Sequence, residues 1–202
     1  MPLLKLFEII LMKGNKMGIS FANPEKLTEI FDGENREEWQ KTSYIINKLE
    51  LTPNTVIADV GAGTGYFSNI FSQHLGNGKI YSIDCEPNMV SYLKNRFSDD
   101  SFSHVNIIHS LFADPCIPSD VDMVFVANTY RFITDRCTFL NNLFQQVKTQ
   151  TRLVLVDFKG SHARVSPNKA LEEVQQAGFE ILNFDLTGCP DHYILTCQKG
   201  ES

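Results

Sequence analysis

Apolar runs alternate with helical patterns along most of the chain. Seven short stretches rich in β-branched and other apolar residues are predicted as strands, at or near residues 54–60, 78–84, 105–109, 121–127, 151–157, 179–186 and 192–198. Two of them, DMVFVA and TRLVLVD, contain continuous runs of β-branched and apolar residues, which are typical of parallel strands covered on both faces. Strands that alternate with helices predict an α/β fold with a doubly wound sheet.

The segments between the strands carry helix signals. In SPNKALEEVQQAG, Ser166 is predicted as the N-cap, Pro167 as the first helical residue and Gly178 as the C-terminal stop. The stretch EPNMVSYLKNRF begins in the same way, with Pro87 at the first helical position. The stretch REEWQKTSYIINKL is predicted as a helix that places three apolar side chains near one face, namely Trp39, Ile46 and Leu49.

Length and charge limit the classes of protein to consider. A chain of 202 residues is long enough for one domain with a substantial core, and a second full domain is not expected. The hydrophobic content of 43% and charged content of 21% are those of an ordinary globular protein. The formal net charge of -6 repels phosphate backbones, so nucleic acid is not expected as a partner.

The cysteines and histidines show no metal-binding spacing. There are five cysteines, an odd number, and no pair has the C-x-x-C spacing of a zinc site. We therefore expect reduced thiols in a cytoplasmic protein, with no metal site and no disulfide framework. The oligomeric state is not predicted by these features.

The first residues, MPLLKLFEIILMK, form a short apolar run that contains Lys5 and Glu8. The run is too short to cross a bilayer, and it lacks the basic start and small-residue cleavage site of a secretory signal. We interpret residues 1–20 as an N-terminal extension, either a short amphipathic helix or sequence upstream of a start at Met17, and expect no stable membrane anchor.

Three glycines follow an acid in the stretch VIADVGAGTGYFS. Asp59 lies just before the turn that follows the first predicted strand, and Gly61, Gly63 and Gly65 come at alternate positions in that turn. Glycine is required where the backbone takes a positive φ or where a ligand touches the main chain. Because ligands of doubly wound sheets lie beyond the carboxyl ends of the strands, this turn predicts a ligand-binding loop.

Two nucleoside ligands compete for such a loop. A dinucleotide site requires G-x-G-x-x-G, but the sixth position is Tyr66, and the charge of Asp59 opposes a pyrophosphate. S-adenosylmethionine has no phosphate and carries an ammonium and a sulfonium, which suit an acid beside the turn. Asp84 ends the next predicted strand about 20 residues beyond the loop, where a carboxylate can accept both ribose hydroxyls.

The motifs DVGAGTG and YSIDCEPNMV resemble the first two motifs of the class I S-adenosylmethionine-dependent methyltransferases, within the methyltransferase-domain superfamily of bacterial small-molecule type. The likeness covers nearly all of residues 21–199. It implies a Rossmann-like sheet of seven strands, ordered 3-2-1-4-5-7-6, with strand 7 antiparallel. It also implies one methyltransferase domain over residues 21–202, which begins with a helical segment at residues 21–50.

The resemblance implies a cofactor site for S-adenosylmethionine. Many family members carry an acid just after strand 3 that binds the adenine amino group, but this chain reads IIHSLFADP there. We therefore expect backbone N–H groups and an apolar wall to hold the adenine. The expected cofactor-binding residues are Asp59, Gly61, Ala62, Gly63, Thr64, Gly65, Asp84, Cys85, Leu111, Phe112 and Asn128.

The segment after strand 4 departs from the pattern of close relatives, which often read aspartate-x-tyrosine-histidine. This chain has Asn128, Thr129, Tyr130 and Arg131. Arginine stays protonated and cannot act as a base, so any proton transfer requires another group. The segment also resembles, loosely, the N/D-P-P-Y signature of amino-group methyltransferases, but both prolines are missing.

Several cations follow strands 4 and 5, at the predicted mouth of the site. They are interpreted either as solvated loop charges or as binding groups for an anionic substrate. The expected substrate-binding residues are Tyr130, Arg131, Lys159 and Arg164. The candidates for a catalytic base are suggested by position alone, and they are Tyr130, Asp114 and His162.

The resemblance implies in-line methyl transfer to a small molecule, for which an anionic character is one interpretation. The methyl-accepting atom is not specified by the sequence. An alternative is a non-catalytic protein that binds S-adenosylmethionine or a partner, because the departures at Arg131 and at the adenine acid weaken the match. An NAD-dependent oxidoreductase is disfavoured by Tyr66 and Asp59.

Overall fold

A computed structural model describes residues 23–33, 35–161 and 163–200. Seven strands form one sheet, and the described helices pack around it. The strands are β1 (Val56–Val60), β2 (Lys79–Asp84), β3 (Val105–His109), β4 (Met123–Ala127), β5 (Arg152–Phe158), β6 (Phe179–Asp185) and β7 (His192–Lys199). The helices are α1 (Pro24–Phe31), α2 (Arg36–Gln40), α3 (Thr42–Leu49), α4 (Tyr66–His74), α5 (Pro87–Arg96), α6 (Arg136–Gln146) and α7 (Pro167–Gln176). Short 3₁₀ turns span Asp100–Phe102 and Tyr130–Phe132.

The strand order is β3-β2-β1-β4-β5-β7-β6. Strands β1 to β5 pair in parallel, and β7 runs antiparallel to both β5 and β6. This confirms the predicted α/β class, the strand order and the antiparallel strand 7. The order reverses between β1 and β4, so the ends of these two strands border the crevice where ligands of such sheets bind.

The hydrophobic core covers both faces of the sheet. Residues 123–126 of β4 and 153–156 of β5 are all buried, because helices lie on each side of these central strands. One apolar cluster includes Leu140, Leu143 and Val174, and the other includes Ile45, Phe67 and Phe71. The continuously apolar runs in the sequence therefore correspond to strands with two covered faces.

The predicted helix signals of α7 are confirmed. Ser166 is the N-cap, and its hydroxyl accepts a hydrogen bond from the backbone N–H of Lys169 at 3.2 Å. Pro167 is the first helical residue, and Gly178 takes a φ of 98° just beyond the end. In α5, Pro87 is also the first helical residue, and Glu86 is the N-cap.

The single helix predicted across residues 36–49 is wrong. The segment divides into α2 and α3 at Lys41, whose φ of 58° is left-handed. The Glu37 carboxylate accepts a hydrogen bond from the backbone N–H of Ser43 at 2.9 Å, which satisfies a donor in the first turn of α3. The break separates the side chain of Trp39 on α2 from the buried side chains of α3.

Residues 1–22 lie outside the described part of the chain, and with them the predicted extension at residues 1–20. Within residues 23–33, 35–161 and 163–200, no helix has the length and apolar character needed to cross a membrane.

Candidate functional site

A cavity of about 610 Å³ opens beyond the carboxyl ends of β1, β2 and β4. Its size lies within the range of pockets that enclose small molecules. The wall combines the turn after β1, the acids at the ends of β1 and β2, and side chains from α1 and α2. The lining residues with polar side chains are Arg36, Asp59, Thr64, Tyr66, Asp84, Cys85, Glu86, Asn128, Thr129, Arg131 and Thr134.

The three glycines of the turn have different structural tasks. All have positive φ, with values of 72° at Gly61, 58° at Gly63 and 85° at Gly65. A Cβ at Gly61 would overlap the side chain of Thr129, and one at Gly65 would lie 2.8 Å from the side chain of Leu93. Gly63 has more space, lines the cavity and so keeps the backbone open to a ligand.

Asp84 connects the end of β2 to the glycine turn. Its Oδ2 accepts a hydrogen bond from the N–H of Gly63 at 2.8 Å, and its Oδ1 accepts one from the N–H of Glu86 at 2.9 Å. Burial raises the pKa of this carboxyl, and the two backbone donors oppose that rise. Each oxygen keeps acceptor capacity toward the cavity, which fits a diol such as the ribose of a nucleoside.

Asp59 is buried at the end of β1 beneath the same turn. Its Oδ2 accepts a hydrogen bond from the hydroxyl of Ser68 at 2.7 Å, and Ser82 donates to Ser68 at 2.6 Å. Burial raises the pKa of Asp59 to about 6, while the bond from Ser68 acts in the opposite direction. A cationic ligand group beside this carboxylate would offset the unfavourable burial of its charge.

Arg36 lines the cavity from α2 and was not predicted as a site residue. Its guanidinium donates from Nε to Gln40 Oε1 and from Nη1 to the carbonyl of Phe31, and it stacks 3.8 Å from the ring centre of Tyr66. Burial lowers the pKa of Arg36 to about 10, so the group stays charged at neutral pH. Within the described residues, no acceptor pairs with Nη2, which leaves a donor for an anionic ligand group.

Aromatic and apolar side chains form much of the remaining wall. Phe31 and Trp39 come from the α1–α2 region, Met89 from α5 and Phe132 from the turn after β4. Phe112, in the loop after β3, also lines the cavity and is 80% exposed. Flat apolar surfaces of this kind suit an adenine ring and an apolar acceptor molecule.

The end of β4 carries a network of buried polar side chains. Asn128 has a left-handed φ of 57°, and its Oδ1 lies 2.8 Å from Nε2 of His192. Arg131 forms an ion pair with Asp157 of β5, and both side chains are less than 10% exposed. Burial, followed by the charge of Arg131, keeps the pKa of His192 well below its usual value, so this imidazole is neutral at pH 7.

The structure brings most of the predicted cofactor-binding residues together. Those that line the cavity are Asp59, Gly61, Ala62, Gly63, Thr64, Asp84, Cys85, Phe112 and Asn128. Gly65 and Leu111 do not line it. The N–H of Leu111 donates to the carbonyl of Asp114 at 3.0 Å, and its side chain is 68% exposed.

Of the predicted substrate-binding and catalytic residues, Arg131 alone lines the cavity among those described. Tyr130 is fully buried and donates its hydroxyl proton to Glu173 at 2.7 Å, and burial raises its pKa. Asp114 accepts a hydrogen bond from Gln146 at 2.6 Å, which lowers its pKa.

Two of the predicted mouth cations lie outside the cavity wall. Lys159 donates to the carbonyls of Leu186 and Cys189, and Arg164 stacks 4.9 Å from the ring centre of Phe132. His162 lies outside the described residues. In the described part of the chain, no group of three or more His, Cys, Asp or Glu side chains is arranged to hold a metal ion.

A family model described as a methyltransferase domain matches residues 51–200, about three quarters of the chain. The chain belongs to the methyltransferase domain family. The resemblance to the class I S-adenosylmethionine-dependent enzymes is thereby confirmed, and S-adenosylmethionine is the cofactor that belongs to this family. Asp59, the glycine turn and Asp84 of this methyltransferase domain all lie within the matched residues.

Curated relatives and solved structures agree with the family. A demethylmenaquinone methyltransferase of Oceanobacillus iheyensis is 22% identical over 139 residues, which are 68% of this chain and 58% of the relative. A malonyl-[acyl-carrier protein] O-methyltransferase of Acetivibrio thermocellus is 28% identical over 130 residues, 63% of this chain and 45% of the relative. The chain thus spans about half the length of the curated relatives it matches.

A SAM-dependent methyltransferase from Aquifex aeolicus has a similar fold, with a TM-score of 0.78 and 22% identity, over 88% of this chain and 98% of that one. The methyltransferase domain also has cavity residues that the sequence did not indicate, chiefly Arg36, Trp39 and Met89. Apolar runs mark the strand ends in the sequence, whereas Arg36 and Trp39 come from a short helix before β1. Nothing in the local pattern of REEW marks Arg36 or Trp39 as a residue of the site.

Proposed function

We propose that the protein is an S-adenosylmethionine-dependent methyltransferase that acts on a small molecule. The observation that carries the proposal is the shared cavity of the Gly63 backbone, the Asp84 carboxylate and the Arg36 guanidinium. The Gly63 backbone leaves room for a ligand beside the main chain, the Asp84 carboxylate fits a ribose diol, and the Arg36 guanidinium fits a carboxylate, and one cofactor carries all of these parts. The cofactor would supply an activated methyl group bound to a sulfonium.

The chain's own residues would act mainly by positioning and by excluding water. Asp84 would accept from the ribose hydroxyls while the Gly63 N–H holds it in place. Arg36 would bind the carboxylate of the amino-acid portion, and Asp59 would counter its positive charges. Alignment of two bound reactants in a largely apolar cavity accounts for the chemistry expected of the protein.

The acceptor would occupy the end of the cavity near β4. Trp39, Ile133 and Phe132 provide apolar walls there, while Asn128 and Arg131 provide polar groups. Among the described lining residues there is no histidine, so we propose that the reaction does not depend on an imidazole base in the wall. One curated relative is a demethylmenaquinone methyltransferase, and this name supports a small-molecule acceptor.

We also propose, more narrowly, that the acceptor is anionic. Arg131 in the cavity wall supports this proposal, but its charge is shared with Asp157. An anion bound by Arg131 should show a KM that rises with salt, since screening weakens the attraction. A KM that is constant between about 0.05 and 0.5 M salt would remove this part of the proposal and leave the methyltransferase assignment intact.

Calorimetry and turnover test the function directly. S-adenosylhomocysteine should bind one to one, whereas NAD should give no heat. Asp84→Ala should weaken S-adenosylhomocysteine binding about 10- to 150-fold, because a charge-assisted hydrogen bond contributes about 1.5–3 kcal/mol. Release of S-adenosylhomocysteine from the methyl donor, in the presence of a panel of small acceptors, distinguishes a catalyst from a binding protein. No binding at millimolar ligand would refute the proposal.

A further inference from the structure

The backbone at the end of β4 fixes the position of Asn128. Its N–H donates to the carbonyl of Val156 at 2.8 Å, and its φ of 57° is a conformation that asparagine tolerates better than most residues. The next residue, Thr129, donates its hydroxyl to the carbonyls of Ala127 at 3.0 Å and Gly61 at 3.3 Å. The half-buried side chain of Asn128 is therefore held in the cavity wall.

Two neighbours determine which way the amide of Asn128 points. Nη1 of Arg131 lies 3.5 Å from Oδ1, and a guanidinium can only donate, so the atom that faces it is the oxygen. Nε2 of His192 lies 2.8 Å from the same oxygen, and a neutral imidazole that is protonated at Nε2 can donate to it. Asp157 holds Arg131 from the other side, which fixes the arrangement.

The remaining polar atom of the side chain is Nδ2, with two N–H donors. Within the described residues, Nδ2 has no hydrogen-bond acceptor. Because β4 lies two strands from β2, Asn128 stands roughly 10 Å from the Asp84 end of the cavity. That separation places it beyond the ribose, on the side where the methyl group and the acceptor would meet.

We propose that Asn128 is a specificity-determining residue whose Nδ2 donates to an oxygen atom of the methyl acceptor, so that the protein selects acceptors with a carbonyl, carboxylate or phenolate oxygen. The inference rests on the proposed function. A protonated amine has only N–H donors and would face the two N–H donors of Nδ2, so neither group would gain a hydrogen bond from the other. In this proposal Asn128 donates from Nδ2 to the acceptor molecule, whereas an asparagine that binds an amine accepts with its Oδ1.

Three probes of similar size test the inference in protein saturated with S-adenosylhomocysteine. Acetophenone has a carbonyl oxygen, 1-phenylethylamine has an ammonium in its place, and ethylbenzene has neither. The aromatic ring suits the wall that contains Trp39 and Phe132. Binding is followed by ¹H–¹⁵N spectra, in which the side-chain amide of Asn128 is assigned by its absence from the spectrum of Asn128→Asp.

We expect acetophenone to bind at least about fivefold more tightly than either other probe and to shift the Asn128 amide resonance. In Asn128→Asp a carboxylate oxygen replaces the donor, so the preference should reverse in favour of 1-phenylethylamine. Equal affinities, tighter binding of the amine by the unaltered protein, or no shift of the Asn128 amide would overturn the inference. If the variant does not fold, the test uses the unaltered protein alone. The affinities of the three probes and the shift of the Asn128 amide resonance then decide, with that resonance assigned by sequential methods.

Saturation with S-adenosylhomocysteine is measured first and separately by calorimetry. A protein that binds S-adenosylhomocysteine but fails the probe ranking refutes the role of Asn128 alone. A protein that does not bind S-adenosylhomocysteine refutes the proposed function instead.

Discussion

Replacing Arg36 with glutamine should weaken binding of the amino-acid portion of the cofactor and spare the nucleoside portion. Arg36 is 6% exposed and lines the cavity, and its Nη2 has no acceptor among the residues that the structure describes. Its pKa, lowered by burial to about 10, indicates a charge that the protein only partly compensates. A ligand carboxylate would compensate the rest of this charge. Glutamine carries no charge, so the variant lacks this attraction to the ligand.

The magnitude follows from the kind of bond that is lost. A hydrogen bond to a charged group contributes about 1.5–3 kcal/mol, which corresponds to a roughly 10- to 150-fold change in Kd. Arg36 also stacks on Tyr66 at 3.8 Å and on Phe67 at 5.1 Å, so some loss of stability is expected in addition. A thermal unfolding curve of the variant separates the two effects.

The assay compares two ligands by calorimetry. S-adenosylhomocysteine carries the carboxylate, and 5′-methylthioadenosine lacks the whole amino-acid group. For Arg36→Gln we expect the first to lose at least about tenfold in affinity and the second less than threefold. Arg152→Gln is the control, because Arg152 begins β5 at the opposite end of the sheet. Equal losses for both ligands, or no loss for either, would refute the assignment of Arg36.

Three further predictions concern stability. Asp59→Asn should stabilise the ligand-free protein by about 2–3 kcal/mol at pH 7, because a carboxyl whose pKa is raised from 3.8 to about 6 lowers the stability as pH rises through that window. In urea titrations this gain should vanish below pH 4, and a gain that does not depend on pH would contradict the prediction. Asp157→Ala should cost about 3–5 kcal/mol by leaving a buried arginine unpaired, whereas Glu172→Ala, in an exposed pair, should change the free energy of unfolding by under about 0.5 kcal/mol. Gly61→Ala should cost at least about 1–2 kcal/mol because of its φ of 72° and a clash with a threonine, and Gly160→Ala, with open space, should cost almost nothing; equal thermal shifts would refute this reasoning.

The sheet and the acids at its edge could be predicted because their signals are local. Each strand is an apolar run, and the glycines that follow Asp59 indicate a turn that can contact a ligand. Asp84 was found from its distance along the chain beyond that turn. The strand order came from the resemblance to a family, because hydrophobic patterns do not indicate which strands pair.

The other residues could not be predicted because their roles depend on distant partners. Lys41 breaks a helical pattern that reads continuously, since Glu37 offers an alternative bond to the N–H of Ser43. Arg36 joins the site through the packing of a short helix, and nothing in its local pattern distinguishes it from a surface arginine. Tyr130 follows β4 in sequence, but its side chain points into the core toward Glu173.

Arg131 departs from the pattern that the family resemblance implies after strand 4, and the structure shows which side chains hold it. In the sequence, Arg131 stands where relatives often carry a histidine, and its charge suggested an anionic substrate. In the structure, Asp157 on the adjacent strand pairs with that charge, and the arginine also donates to Oδ1 of Asn128. Contacts to Asp157 and Asn128 restrict the movement of this side chain, so we propose that Arg131 also orients Asn128 besides attracting an anionic acceptor. In this proposal an arginine, which cannot exchange protons, fixes the orientation of a hydrogen-bond donor in the cavity wall.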